Sequence, residues 1–585
     1  MGTDLPRRRW VDDRQAVLLR RTALVSAPLL VGCLAVGAWL VGVPQVPRSG
    51  QAGFAETLAQ VALLVLYTVG WLVALRWTVP GATVMAVTAF GIGALSVVQY
   101  EPWKGLLLAL LLYLPAGLLW LQWQRTKGWR AVTALAAVLV LLLAGYAAAG
   151  SAVFDHFYGP QTPQSTAAPL PVDRVEWVWS GALTATSARV VAALADEPDG
   201  EVRLAYAAGA EPTSTAATAL GAASAADGRV VGFDVTGLQP GTEYRYAVMV
   251  DGTPDASRGR GRLRTPAEGA QSFTFAFASC ARLGSNARTF ETVLATDPLF
   301  FVHLGDFFYA DIARDDLSAF RRSYDRQLTT AAQAALFRAV PVAYVWDDHD
   351  YGPNDADRTS PSRAAAWAAY RSFVPHYPLP LGSDEGPVAQ AFTIGRVRFL
   401  VTDLRSERDP KADPDGPGKT MMGPAQLAWF ERELLAANGR YPLIVWVSSV
   451  PWIDRSASPG DDWGAYADER QHIADLVAAN GVQGLVMLAG DAHMVAADDG
   501  TNSDFSTSGG AGFPVLHGSP LDQRWRAKGG PYSEGVHLTT GQFGLVRVTD
   551  DGARVSLHFE GRTYDGATVL TFDWTSPAGG STDST

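Results

Sequence analysis

Two cysteines in 585 residues leave little room for disulfide chemistry. Cys33 falls in the first long apolar run and Cys280 lies far downstream, so the chain beyond residue 154 holds one thiol and cannot form an internal disulfide. Histidine is absent from residues 1–154, and carboxylates are scarce there: five Asp+Glu stand against twelve Lys+Arg, a net charge of +7. Residues 155–585 are short of the opposite sign, with 35 basic and 53 acidic side chains, net −18. Nonspecific binding to a phosphate backbone needs a basic face, and no basic stripe with interleaved aromatics occurs in that part. Nucleic acid is therefore not expected as a partner.

What the first part has in quantity is apolar sequence. Runs near 22–43, 57–77, 80–99, 105–123 and 131–154 are each about the roughly 20 residues needed to cross a bilayer. Five spans are expected. Arg7, Arg8, Arg9, Arg14, Arg20, Arg21, Arg76, Arg125, Lys127 and Arg130 fall on one side of them, and only Arg48 and Lys104 on the other. The positive-inside rule then predicts a multi-pass membrane protein with a cytoplasmic N-terminus and everything after Phe154 extracytoplasmic.

Residues 155–173, rich in Pro, Thr, Ser and Ala, read as a linker. From 174 to 268 short alternating segments such as "SARVVAAL" and "EYRYAVMV" predict a small β-sandwich, and "VTGLQPGTEYRYAVMV" resembles a fibronectin type III signature. Over 269–574 apolar strand candidates at 273–279, 299–303, 342–346, 397–402, 443–448 and 484–489 alternate with helical patterns, "DLSAFRRSYDRQLTTAAQAALFRA" and "PAQLAWFERELLAANG" among them. That alternation predicts an α/β domain, with ligands gathering at the carboxyl ends of its strands. "GQFGLVRVTDDGARVSLHFEG" reads as a closing hairpin, and 575–585 as a disordered tail.

Chemistry-bearing residues sit at those strand ends. The first strand ends on Cys280, the second on "HLGDFFYAD" with Asp306 and Tyr309, the third on "VWDDHDYGPNDAD" with Asp347, Asp348, His349, Asp350 and Asn354, and the last on "LAGDAHM" with Asp491 and His493. One Gly-Asp after a strand is commonly a turn or a helix cap. Several in register suit hard or borderline cations, and two adjacent cations need a carboxylate to bridge them. An unpaired carboxylate such as Asp306 at the end of a buried strand is costly unless a cation compensates it. Cys280 reads either as an inert core thiol or as a metal-held thiolate.

The series "ASCAR", "HLGDFFYAD", "WDDHDYGPNDAD", "VTDLRSER", "KTMMGPAQLAWF", "SSVPW" and "LAGDAHM" resembles the alkaline phosphatase D (PhoD) family of the metallophosphatase superfamily over residues 174–560. The resemblance implies two β-sheets flanked by helices and a bimetal site of iron and calcium. It implies Cys280 as the thiolate on a ferric ion, Asp306 as the bridging carboxylate and Tyr309 as a phenolate on the same iron. Asp348, Asp491 and His493 are implied as further ligands, Asn354 as a candidate one, and His349 as the histidine that contacts phosphate or assists the leaving group. The superfamily's histidine after the penultimate strand is missing from "VWVSSVPW". Asp347 and Asp350 are expected to orient ligands.

The expected reaction is hydrolysis of phosphomonoesters or phosphodiesters by a metal-bound hydroxide attacking in line. Arg405, after the strand "RFLVTDL", reads either as a bidentate phosphate clamp or as an ion-pair partner of Asp403 or Glu407. "GPGKT" lacks the glycine spacing of a phosphate-binding loop. His376, His472, His537 and His558 lie outside the strand-end loops, and His517 follows a Gly-rich loop able to fold over the site mouth. The alternative to an enzyme is a noncatalytic membrane sensor that binds a phosphorylated envelope ligand with the same fold.

Overall fold

A computed structural model describes residues 13–40, 50–99, 102–124, 162–198, 200–212, 216–224, 227–382, 385–456 and 460–577. The chain divides into two units, Met1–Pro160 and Gln161–Thr585.

In the first unit four helices are described, Asp13–Leu40, Gly50–Arg76, Thr78–Gln99 and Pro102–Gln124. Ala23, Ala27, Tyr67, Ala74, Ala82, Met85 and Leu112 form its buried core, while Leu29, Val65, Leu72, Val87 and Leu114 face outward. Polar side chains lace the helices together: Tyr67 donates to the Leu112 carbonyl (2.8 Å), and Trp71 Nε1 to that of Leu24 (2.9 Å). Among the described residues no helix is long and apolar enough to cross a membrane. This corrects the five-span bundle expected from the sequence, and with it the multi-pass, extracytoplasmic placement that rested on it. The physical reason is that an apolar run reports burial without reporting what buries it; here helix contacts do so for the core residues. Pro28 and Pro115 also lie within two of these helices, and Arg20 and Arg21 open the apolar part of the first. The fifth expected span, 131–154, lies outside the described residues.

The second unit is built on a ten-stranded sheet, a seven-stranded sheet and a smaller five-stranded one. Phe273–Ala278, Phe301–His303 and Val342–Tyr344 are parallel neighbours in the first. Val397–Val401, Leu443–Ser448 and Leu485–Ala489 are parallel neighbours in the second. These six segments are almost entirely apolar because both of their faces are covered, as buried parallel strands require. All six lie where the apolar runs predict them. The long helical pattern over 316–339 instead forms two helices, Leu317–Thr329 and Ala331–Ala339, because Thr330 adopts an extended conformation (φ −69°, ψ 132°).

The segments read as a separate sandwich divide between two sheets. Val175–Gly181, Ser187–Leu194 and Val230–Thr236 join the ten-stranded sheet, Gly181 pairing in parallel with Val342, whereas Val202–Ala208 and Glu243–Val250 form the five-stranded sheet. The described part of the expected linker is also held down. Arg288 N donates to the Pro163 carbonyl (2.8 Å), Ser165 N to that of Asn286 (2.7 Å), and Thr162 is buried. At the other end the hairpin Gln542–Asp550/Val555–Thr563 gains a third strand, Thr568–Thr575, and residues 578–585 lie outside the described ones.

The two large sheets approach closely at a pair of facing glycines, Gly518 and Gly544. A Cβ on Gly518 would lie 2.4 Å from Gly544 N, and one on Gly544 would lie 2.2 Å from the Phe277 ring. Gly518 precedes Ser519, whose hydroxyl bonds Ser279 beside Cys280 (2.7 Å), so this approach sets the height of the site's floor. Gly544→Ala is expected to destabilise this unit by about 1–3 kcal/mol through overpacking. Denaturant midpoints measure the loss, and an unchanged midpoint would show that the sheets can separate freely.

Candidate metal centre

The carboxyl ends of the parallel strands of both large sheets converge on one cluster. Gly490 marks the closeness: a Cβ there would meet the carbonyls of Leu304 (2.6 Å) and Ser449 (2.7 Å). Backbone strain concentrates at the same place. Of nine described non-glycine residues with positive φ, five belong to the cluster: Cys280 (67°), Asp306 (54°), Asp311 (49°), Asp355 (62°) and Asp491 (58°). Left-handed conformations cost energy for residues with a Cβ and persist where the surrounding structure imposes them. Here they turn Cys280, Asp306 and Asp491 from their strand ends toward a common centre.

Asp306 is that centre. Its carboxylate shares ligand-distance groups with Cys280 and His493, with Asp348 and His349, and with Asp347 and Asp491, the atoms of each group lying within 4.8 Å of one another. Tyr309 donates to Asp306 Oδ2 (2.6 Å) and lies 3.0 Å from His493 Nε2. Cys280 Sγ is 3.5 Å from Asp306 Oδ2 and 2.9 Å from Ser279 Oγ. Burial pushes the Asp306 carboxyl up to about 8; the neighbouring Asp348, Asp350 and Asp491 add to the rise and His349 opposes it. Burial and the charges of Asp306 and Asp491 likewise push the Cys280 thiol well above its ordinary range. A cation bound among these groups would favour the deprotonated form of both.

The histidines are held from behind. His349 Nδ1 bonds Asp311 Oδ1 (2.6 Å) and its ring stacks on Tyr309, with centroids 3.9 Å apart. His493 Nδ1 bonds the Arg524 carbonyl (2.6 Å). Asp350 ties the loop together, accepting from Phe307 N (2.7 Å), Tyr344 OH (2.6 Å) and Asp347 N (2.7 Å). Asp348 accepts from Asp355 N (2.6 Å). Burial opposes the ionisation of Asp348, but Arg405 and His349 outweigh it and hold the carboxyl at about 2.

Arg405 has no exposed surface. Its Nε donates to Asp347 Oδ1 (2.5 Å), and Nη1 and Nη2 donate to Asp461 (3.1 and 2.7 Å). Its side chain therefore pairs with neither Asp403 nor Glu407; Asp403 accepts from its backbone N–H instead (3.0 Å). Asn354 is exposed in the turn beyond the cluster, and the adjacent Asp355 groups with Asp348 and Asp461. Asp311, Asp355, Asp461 and Lys528, which pairs with Asp491, were not singled out from the sequence. A strand-end signal exists for none of them, since each comes from a loop interior. His517 is buried within the strand Val515–Gly518.

The donor set fits cations. Asp347 Oδ2 and Asp348 Oδ1 are buried without a hydrogen-bond partner, an arrangement that is costly for an anion unless a positive charge reaches it. Thiol, phenol, imidazole and carboxylate around one shared Asp suit a borderline cation on the Cys280 side and a harder one on the all-oxygen side.

His303 lies outside this cluster although it ends the strand leading into Asp306. Both of its ring nitrogens are buried without partners among Phe301, Phe307 and Tyr344, the last of which bonds Asp350. Burial lowers its pKa from 6.5 to about 3. Between those values the unfolded chain takes up a proton that the native state refuses, so stability falls as pH drops through that window. The expected loss from this group between pH 7.5 and pH 5 is about 2 kcal/mol. His303→Phe should remove that share of the acid sensitivity in paired denaturant titrations. An identical pH slope in variant and wild type would refute the assignment.

The chain is similar to known proteins in sequence and in fold. Residues 275–528 match the family model for PhoD-like phosphatase. Alkaline phosphatase D of Bacillus subtilis (strain 168) is 27% identical over 310 residues, which are 44% of this chain and 52% of the relative. The chain thus spans about half the length of the curated relative it matches. The solved structure of PhoD covers 71% of this chain and 92% of its own at 19% identity, with a TM-score of 0.54, which establishes a shared fold. Purple acid phosphatase PPD1 from yellow lupin seeds aligns at 14% identity over 70% of this chain and 74% of its own, with a TM-score of 0.49.

Proposed function

We propose that the chain is a metal-dependent phosphoric ester hydrolase of PhoD type. The observation that carries this reading is the convergence of Cys280, Tyr309, His493 and several carboxylates on Asp306, with buried oxygens of Asp347 and Asp348 lacking a hydrogen-bond partner. Cys280, Asp306, Tyr309, Asp348, Asp491 and His493 are the proposed ligands, a thiol and a phenol favouring ferric iron and the carboxylates calcium. Asn354 stays outside this set because its side chain is exposed. Bound cations would acidify a water and neutralise charge on the phosphoryl group.

The chain's own residues do the rest. Asp311 anchors His349 through Nδ1, and Tyr309 fixes its ring plane, which leaves Nε2 to hold a phosphoryl oxygen or deliver a proton to the leaving alkoxide. Arg405 keeps Asp347 and Asp348 in place rather than meeting solvent. His349→Gln is expected to lower kcat by about a hundredfold, and by more for esters with poor leaving groups. An equal loss across leaving groups would leave His349 a binding role only.

The test of the function is release of nitrophenol from a phosphomonoester and a phosphodiester, with and without chelator. Turnover that chelator abolishes and added metal restores is expected, and the preferred ester decides between phosphatase and phosphodiesterase. Phosphate binding without turnover of either ester would favour a sensor.

A further inference from the structure

Resting on the phosphoesterase reading, we propose that Arg526 and Lys528 form the anion-binding edge of the site, gripping the non-bridging oxygens of the substrate's phosphoryl group. They lie on the segment Ser519–Gly530, which is pinned against the cluster along its length. Leu521 N donates to the Ser279 carbonyl (3.0 Å), and Arg282 N to Asp522 Oδ1 (2.7 Å). Arg526 N donates to the His493 carbonyl (2.9 Å), and Gly530 N to that of Ile453 (2.8 Å). Tyr532 OH donates to the Lys528 carbonyl (3.0 Å). This strap therefore runs beside Cys280 and His493, two of the proposed ligands.

The other cations near the cluster are already committed. Arg405 and Arg408 have no exposed surface, and both pair with Asp461. Lys411 pairs with Asp355 (2.5 Å), and Arg282 donates to the Asp522 carbonyl. Arg526 differs: no carboxylate pairs with it among the described residues, and its Nε is buried without an acceptor. Lys528 has one carboxylate partner, Asp491, and its side chain keeps 15% of its surface exposed. Both sit beside proposed ligands, Arg526 through its N–H on the His493 carbonyl and Lys528 through its pair with Asp491. A phosphate dianion entering a site walled by Asp306, Asp347, Asp348 and Asp461 meets repulsion unless cations face it. A planar guanidinium fork beside a compact ammonium supplies both directional and point-charge contacts to phosphoryl oxygens.

The test compares the metal-replete full chain with Arg526→Gln, Lys528→Gln, the double variant and Arg526→Lys. Calorimetric titration with inorganic phosphate gives Kd, and nitrophenyl phosphate kinetics give kcat and KM separately. Each single Gln variant is expected to raise Kd and KM about tenfold and the double variant about a hundredfold, with kcat within about threefold and partial rescue in Arg526→Lys. Unchanged Kd and KM alongside intact wild-type turnover would overturn the anion-binding edge. A fall in kcat at constant Kd would do so too, reducing Lys528 to the counter-ion of Asp491. If the wild type neither binds phosphate nor hydrolyses the ester, the phosphoesterase reading fails and this proposal with it.

Discussion

Asp306→Asn is expected to lower ester turnover by about a thousandfold or more, while raising the thermal midpoint of the metal-stripped protein above that of stripped wild type. Both effects come from one position. Asp306 belongs to three of the four ligand-distance groups, so no other single carboxylate touches as much of the cluster. Two cations held side by side need a bridging anion, and an amide oxygen supplies no charge to screen them from each other. Without cations the same carboxyl is buried beside Asp347, Asp348 and Asp491, and staying there costs either a buried charge or a proton taken up on folding. Asn keeps the shape and needs neither, so the stripped variant escapes that cost. Turnover and thermal unfolding, each with and without chelator, separate the two claims. A variant that retained activity within tenfold would remove Asp306 from the bridging role.

Arg405→Met is expected to cost about 3–5 kcal/mol of stability, because it leaves Asp347 and Asp461 buried with a main counter-ion gone. The pairing is extensive: three guanidinium nitrogens reach Asp347 and Asp461, and Nη2 lies 3.7 Å from Asp348. Asp461 keeps Arg408 as a partner, and Asp347 keeps the Ser449 hydroxyl (2.8 Å). Asp347→Asn in the Arg405→Met background should recover part of the loss, since the uncompensated charge is what carries the cost. Denaturant midpoints for the single and double variants measure this coupling. A single variant as stable as wild type would mean that solvent or a bound cation already serves these carboxylates.

The strand-end chemistry was legible because buried parallel strands announce themselves as short apolar runs, and the first polar residues after them must occupy their carboxyl ends. Cys280, Asp306, Asp348 and Asp491 could be found that way. Their left-handed backbones could not, since nothing in "ASCAR" or "AGDAH" requires a positive φ at a residue with a Cβ. Arg405 shows a second kind of gap. The ambiguity between phosphate clamp and ion pair turns on Asp461, 56 residues away in a loop with no periodic signal. The strand Val175–Gly181 likewise reads as part of a separate sandwich until its single parallel pairing with Val342 places it in the larger sheet. The membrane expectation failed for a related reason. Composition measures how strongly a helix avoids water, and the identity of what covers it is a tertiary fact.

Elemental analysis of the purified full chain, wild type beside Asp306→Asn, tests the central claim most directly. The account predicts at least two cations per wild-type chain, one of them a transition metal, and at least one fewer in the variant. Wild-type protein that binds no stoichiometric metal after reconstitution, or a variant that keeps the full complement, would contradict it.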